Sequence, residues 1–143
     1  MKYTILIADD EKNIRNGIAE YLEAEGYETL TAEDGKEAIS IINKGSVDLV
    51  ITDLKMPNVN GMEVLNYVVS HFPTMPVIIL TGHGTVEDAV QAMRIGAFDF
   101  ISKPLNLEHL VMLIQRALER QELSRKNSEL SQELARTKVS KLL

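Results

Sequence analysis

Short apolar segments alternate with amphipathic segments along most of this chain. Five segments are too short for helices and are typical of strands: residues 3–8, 27–31, 47–52, 76–80 and 97–101. Between them, apolar side chains recur at helical spacing, as at Ile14, Ile18 and Leu22 after the first strand. The pattern predicts five strand–helix units in succession.

Turn and capping residues separate these elements. Gly26 and Gly96 stand where a helix commonly ends in glycine. Asp34 and Glu37 have the spacing of a capping box at the start of the second helix. Residues 57–61 (PNVNG) are dense in turn formers and separate the third strand from the third helix.

The fourth helix is predicted to begin near Thr85 and Asp88, and the fifth near Asn106. We expect the fourth helix to turn three side chains inward: Ala89, Ala92 and Met93. Repeated strand–helix units imply a parallel sheet with helices on both faces. The predicted fold class is therefore α/β, a doubly wound five-stranded parallel sheet in the flavodoxin-like order 2-1-3-4-5, with five helices of which the last is extended.

The composition changes near the C-terminal end. Residues 1–120 form the predicted domain, whereas residues 121–143 are polar, prone to form helix, and free of Gly and Pro. Leu123, Asn127, Leu130 and Leu134 are spaced four, three and four residues apart, as in a short heptad seam. This segment is interpreted as a helical linker, either a dimerising coiled coil or a solvated helix, because fewer than two heptads leave both open.

Polar residues follow the predicted strands. Asp9 and Asp10 follow the first strand, Asp53 the third, Thr81 the fourth and Lys103 the fifth. The carboxyl ends of parallel strands meet at one edge of a sheet, so we expect these side chains to converge there. Clustered carboxylates repel one another, and Mg²⁺ is a cation that such oxygen ligands accommodate.

This set of groups suits phosphoryl transfer. Asp53 could attack phosphorus and become an aspartyl phosphate, while Mg²⁺ held by Asp9, Asp10 and Asp53 offsets the charge on the phosphoryl oxygens. Lys103 and Thr81 could contact the remaining oxygens. Taken singly, each residue has an ordinary structural explanation, such as a helix cap or a surface lysine. The full set, each at the end of its own strand, favours the phosphoryl site.

Four segments resemble response regulator receiver domains: ILIADDE, VDLVITDLKMPNVNGMEVL, PVIILTGHG and GAFDFISKPL. The resemblance covers residues 1 to about 120. It implies phosphorylation of Asp53 by a partner histidine kinase, Mg²⁺ dependence, the Lys55 backbone carbonyl as a metal ligand, and a cis Lys103–Pro104 peptide. It implies a regulatory domain rather than an enzyme, although one that catalyses its own phosphorylation and dephosphorylation.

The same resemblance makes Thr81 and Phe100 the switch residues, acting on the surface of the fourth helix, fifth strand and fifth helix. Many family members have Tyr at the position of Phe100, so here the hydroxyl is missing. The segment TGHGTVEDAVQAMRIGAFDFISKP is similar to the receivers of NtrC-like, sigma-54-dependent transcription activators. In that group an ATPase domain and a DNA-binding domain follow the linker. We also expect a homodimer through the fifth helix and linker.

Lys55 and His83 each lie two residues beyond a site residue, Asp53 and Thr81 respectively. Side chains there are expected to flank the entry of hydrolytic water and to tune the lifetime of the phosphoryl group. The alternative is that both merely face solvent.

Composition narrows the classes of function. The net charge of −6 argues against direct nucleic-acid binding by this segment. The absence of Cys excludes disulfides, and no apolar run is long enough for a membrane span, so a cytoplasmic location is expected.

Three alternative functions fit the residues less well. A haloacid-dehalogenase-type phosphatase would need a second Asp at the position of Lys55. A flavodoxin would not place Asp9 and Asp10 beside a phosphate. A pseudo-receiver would lack one of the acids or the lysine.

Overall fold

The fold was obtained as a computed structural model, which describes residues 2–82 and 86–142, with side chains described only as far as Ser124. The strands are β1 (Thr4–Ala8), β2 (Glu28–Ala32), β3 (Leu49–Asp53), β4 (Val77–Thr81) and β5 (Asp99–Ser102). The helices are α1 (Lys12–Ala24), α2 (Gly35–Asn43), α3 (Gly61–His71), α4 (Val86–Ile95) and α5 (Leu107–Leu142). Within these residues no helix combines the length and apolar character needed to cross a membrane.

The strands form one parallel sheet in the order β2-β1-β3-β4-β5. Strands β3 and β4 are buried along their whole length, as expected where helices cover both faces of a sheet. The predicted doubly wound fold and strand order are confirmed.

Each face of the sheet has its own hydrophobic core. Side chains alternate along a strand, so Ile5 and Ile7 pack with α1 and α5 while Leu6 and Ala8 pack with α2 and α3. All four side chains are 0% exposed. The two cores pack against opposite faces of the sheet and hold the strands whose carboxyl ends carry the candidate site residues.

The strand β1 ends at Ala8, as the apolar pattern predicted, whereas each of the other four strands ends one residue later than predicted. The ladder pairs Asp53 with Leu80 and Thr81 with Ser102, so Asp53 and Thr81 are the last residues of β3 and β4. The prediction placed them just beyond those strands. It was wrong by one residue because it followed hydrophobicity, whereas backbone pairing continues through the first polar residue.

The helix ends largely follow the predicted signals. Gly26 and Gly96 have φ values of 97° and 135°, and the Asp34 side chain accepts a hydrogen bond from the Glu37 N–H over 2.8 Å.

Met93 was predicted to point inward, but it is 39% exposed. It lies about 100° around α4 from the buried Ala92, so its side chain runs along the edge of the helix. The predicted cap Thr85 lies outside the described residues.

Candidate functional site

The carboxyl edge of the sheet brings the predicted acids together. The carboxylates of Asp9, Asp10 and Asp53 offer oxygen atoms that all lie within 4.8 Å of one another. Asp9 is 0% exposed and Asp53 is 7% exposed, whereas Asp10 faces solvent. The cluster therefore has a buried floor and an open side.

Among the described residues, the cation in contact with these carboxylates is Lys103. Its Nζ lies 2.9 Å from Asp53 Oδ2 and 3.0 Å from Asp9 Oδ2, with Glu11 Oε1 at 4.0 Å. The Lys103–Pro104 peptide is cis, as the resemblance implied. The Lys103 N–H donates to the carbonyl of Thr81 over 2.8 Å, which ties the loop after β5 to the end of β4.

Burial and charge shift the proton affinities of this pair. Burial raises the pKa of Asp53 above its usual 3.8, although the hydrogen bond and charge of Lys103 and the Lys55 N–H favour the ionised carboxylate. Burial alone would lower the pKa of Lys103, but its contacts with Asp53 and Asp9 outweigh that effect and raise the pKa above 10.5. The lysine therefore stays charged at neutral pH.

The geometry of Asp53 depends on the loop that follows it. Its Oδ1 accepts a hydrogen bond from the Lys55 N–H over 3.2 Å. Gly61 opens α3 so close to β3 that a Cβ there would overlap the carbonyl oxygen of Asp53. The sequence had marked Gly61 only as a turn former. Its physical requirement is the close approach of two backbone segments.

Thr81 is 6% exposed. Its hydroxyl lies 3.5 Å from both the Ile101 carbonyl and the Ser102 hydroxyl. It thus faces β5, and Ser102 is a neighbour that the sequence analysis did not single out.

Phe100 lies on β5 and is 40% exposed. It lines a groove of about 360 Å³ together with residues of α4: Val86, Ala89, Val90, Met93 and Arg94. Its ring is therefore on the α4–β5 surface and not in the core.

An open cavity of about 570 Å³ lies above the acids. It is lined by Lys55, Thr81, Lys103 and residues of β3, α1, α4 and the neighbouring loops: Asp10, Glu11, Ile14, Asp53, Leu54, Gly82, Asp88 and Pro104. Lys55 thus lines this cavity, and its effect on the lifetime of the phosphoryl group stays a prediction. His83 lies outside the described residues. In the predicted dimer seam, Leu123 is 61% exposed. The side chains of the other seam residues, Asn127, Leu130 and Leu134, lie outside the described residues.

The donor set fits a divalent cation. Asp9 Oδ2 is buried and accepts no hydrogen bond from any described residue, although the Lys103 ammonium lies 3.0 Å away. A buried carboxylate is costly unless a cation lies beside it, and here the Lys103 ammonium takes that place. Asp9, Asp10 and Asp53 together supply the hard oxygen ligands that Mg²⁺ prefers.

Besides Ser102, the sequence analysis did not single out a second residue near the site, Arg15. Arg15 in α1 is only 7% exposed and donates from Nη1 to the main-chain carbonyl of Asp9 over 2.8 Å. A signal was present, because Arg15 shares the helical spacing of the buried Ile18, Ala19 and Leu22. A cation on an apolar stripe needs a partner inside the fold.

Comparison with known proteins places this architecture in a family. Residues 5–115 match the response regulator receiver domain family. An NtrX-like response regulator of Rickettsia felis is 42% identical over 128 residues, which cover 88% of this chain and 27% of that protein. This chain therefore spans about a quarter of that relative's length.

Two solved structures are similar to this chain. A response regulator receiver domain protein from Clostridium thermocellum has a TM-score of 0.81 at 41% identity, covering 85% of this chain and 98% of that one. NtrX from Brucella abortus has a TM-score of 0.86 at 39% identity, covering 91% of this chain and 30% of that one. The chain belongs to the response regulator receiver domain family, the regulatory domains of two-component signalling.

Proposed function

We propose that Asp53 of this domain accepts a phosphoryl group from a histidine kinase. The observation that carries the proposal is the convergence of Lys103 and three carboxylates on one edge of the sheet. The Asp53 carboxylate attacks phosphorus, the bond from phosphorus to the kinase histidine breaks, and an acyl phosphate forms. Lys103 then donates to a phosphoryl oxygen in place of its present bond to Asp53 Oδ2.

Mg²⁺ is the proposed cofactor. Asp9, Asp10, Asp53 and the Lys55 backbone carbonyl would hold it, and when bound it offsets the negative charge on the transferring phosphoryl group. The domain would catalyse its own phosphorylation and dephosphorylation mainly by holding the reacting groups in position and by supplying fixed charges. Apart from Asp53, no residue needs to form a covalent bond.

The test of the acceptor is phosphoryl incorporation from acetyl phosphate with Mg²⁺, followed by intact-mass measurement. The native chain should gain one phosphoryl group and Asp53→Asn should gain none. Asp99→Asn is the matched control, because it changes an acid at the opposite end of β5. Incorporation by Asp53→Asn at the native rate would overturn the assignment. A native chain that gains no mass would favour a pseudo-receiver.

The metal has a separate test. Three clustered carboxylates destabilise the empty site, so a ligand that binds only the folded state should raise the melting temperature. We expect millimolar Mg²⁺ to raise the Tm of the native chain and to raise that of Asp10→Asn by less. An unchanged Tm in the native chain would count against the metal site.

The proposed output surface is formed by α4, β5 and α5. Phosphoryl oxygens on Asp53 would draw Thr81 and Lys103 toward them, leaving space into which the exposed Phe100 ring turns. The groove beside Phe100 would then change shape. The missing hydroxyl at this position removes one hydrogen bond from the active state without preventing ring rotation.

We further propose that the domain, residues 1–120, regulates a sigma-54-dependent transcription activator through the helical linker at 121–143. The support is the similarity to NtrX and its relatives, which are much longer than this chain. The proposed downstream partners are an ATPase domain and a DNA-binding domain. The proposed location is the cytoplasm. The proposed dimer forms through α5 and the linker.

A further inference from the structure

Arg15 is a buried cation that the phosphoryl chemistry above does not use. Its side chain is 9% exposed, and it lies on the inward face of α1 with Ile18 and Leu22. Removing a guanidinium from water is costly unless its donors are satisfied. Its contacts therefore indicate what the burial achieves.

The guanidinium holds the backbone between the two acids. Its Nη1 donates to the Asp9 main-chain carbonyl over 2.8 Å, within the buried part of the fold. Its Nη2 lies 3.6 Å from Glu33 Oε1, a carboxylate at the surface. The first contact fixes the plane of the peptide that joins Asp9 to Asp10, because a carbonyl and the following N–H lie in one plane.

The Asp9 carboxylate has other supports, but that of Asp10 does not. Asp9 Oδ1 accepts from the Glu11 N–H over 2.9 Å, and Lys103 lies beside Oδ2. The Asp10 side chain makes no hydrogen bond or ion pair with any described residue. Its place within 4.8 Å of the other two carboxylates therefore depends on its backbone.

We propose that Arg15 is a positioning residue for the metal site. By holding the Asp9 carbonyl, it orients the Asp9–Asp10 peptide so that the Asp10 carboxylate stays in the acid cluster. This inference rests on the Mg²⁺ site of the proposed function and adds a residue that does not touch the metal. Partners that orient metal ligands commonly change metal affinity by about 10–100-fold when removed.

Charge and geometry predict opposite effects for the loss of Arg15. Removing a positive charge near a cation site strengthens cation binding by Coulomb's law. Removing the hydrogen bond to Asp9 frees the peptide and weakens binding. A weaker Mg²⁺ affinity in an Arg15 variant therefore reports the positioning role and cannot come from the lost charge.

The experiment is calorimetric titration of Mg²⁺ into the full chain and three variants. We expect Arg15→Met to raise the Mg²⁺ Kd about tenfold, and Arg15→Lys, which keeps the charge on a different donor, to raise it less. Arg116→Met removes an equal charge from an exposed position on α5 and should leave the Kd unchanged or slightly lower. Amide NMR spectra of the metal-free proteins should show the Asp10 and Glu11 signals displaced in Arg15→Met, less displaced in Arg15→Lys, and unchanged in Arg116→Met.

Far-UV circular dichroism identifies which variants are folded. A folded Arg15→Met with the native Kd and native Asp10 and Glu11 amide signals would overturn the proposal. If that variant does not fold, Arg15→Leu, which also lacks a donor, takes its place, and a native Kd in that variant overturns the proposal equally. If the native chain does not bind Mg²⁺, the proposed metal site itself is wrong. If the native chain binds Mg²⁺ and the Arg15 variants bind it with the same Kd, only the proposed role of Arg15 is wrong.

Discussion

Lys103 donates a hydrogen bond to Asp53 over 2.9 Å while its ammonium also lies 3.0 Å from Asp9. The lysine thus contacts two of the three carboxylates proposed to hold Mg²⁺. It partly neutralises the acid cluster, and it competes with a metal for the same oxygens. Both consequences can be measured on one variant.

Lys103→Met should destabilise the metal-free protein. The substitution leaves Asp9 and Asp53 without their nearest cation, and breaking a buried pair in this way typically costs about 3–5 kcal/mol. The same variant should bind Mg²⁺ more tightly, since no ammonium competes for the oxygens. Thermal melts with a chelator and with millimolar Mg²⁺ measure both effects.

The control for that variant is Lys44→Met, which removes an exposed lysine at the end of α2. It should change neither the metal-free Tm nor the Mg²⁺-induced increase by much, because exposed charges contribute little. A Lys103→Met protein as stable as this control in chelator would contradict the neutralising role of Lys103.

Asp53→Asn should stabilise the metal-free protein at neutral pH. Burial raises the pKa of Asp53, so the folded state holds a proton more tightly than the unfolded chain and the ionised carboxylate opposes folding. This cost is fully present above the folded-state pKa and disappears as pH falls below the ordinary value of 3.8. The Tm advantage of Asp53→Asn should therefore shrink as pH falls toward that value, in a series of melts with chelator. An advantage that grows on acidification would mean that the sign is wrong.

Lys55 is predicted to tune the lifetime of the phosphoryl group. It lines the mouth of the cavity above Asp53, and a long side chain there can block or orient hydrolytic water. We expect Lys55→Asn and His83→Ala to change the rate of autodephosphorylation without abolishing phosphorylation. Decay of the phosphorylated chain, followed by mass spectrometry, measures this. Unchanged rates would mean that both side chains merely face solvent.

The extension of α5 is predicted to mediate a dimer that phosphorylation alters. Ultracentrifugation should find the full chain associated, and a chain ending at residue 120 monomeric, at roughly tens of micromolar. Gln121 donates to the Asp48 carbonyl and Tyr3 to Glu122, so a chain ending at Ser124 keeps these contacts and is the better-matched control. Each is measured with and without a beryllofluoride mimic of the phosphoryl group. Monomers in every sample would exclude the dimer switch and leave the phosphoryl site untouched.

Local patterns in the sequence determined the fold and the membership of the acid cluster. Alternating apolar strands and amphipathic helices imply a parallel sheet, and a parallel sheet places every strand's carboxyl end at one edge. For that reason Asp9, Asp53 and Lys103, far apart in the chain, could be predicted to converge. The helix ends at Gly26 and Gly96 were equally predictable, since their signals lie within one turn of the chain.

Only the tertiary structure decided how those groups contact one another. The burial of Arg15, its hydrogen bond to the Asp9 carbonyl, and the overlap that keeps a side chain out of Gly61 all depend on distances between separate elements. The exposure of Met93 and Phe100 likewise depends on how α4 lies against β5. Sequence periodicity gives the face on which a side chain lies, but packing between elements determines whether that face is covered and which atoms meet there.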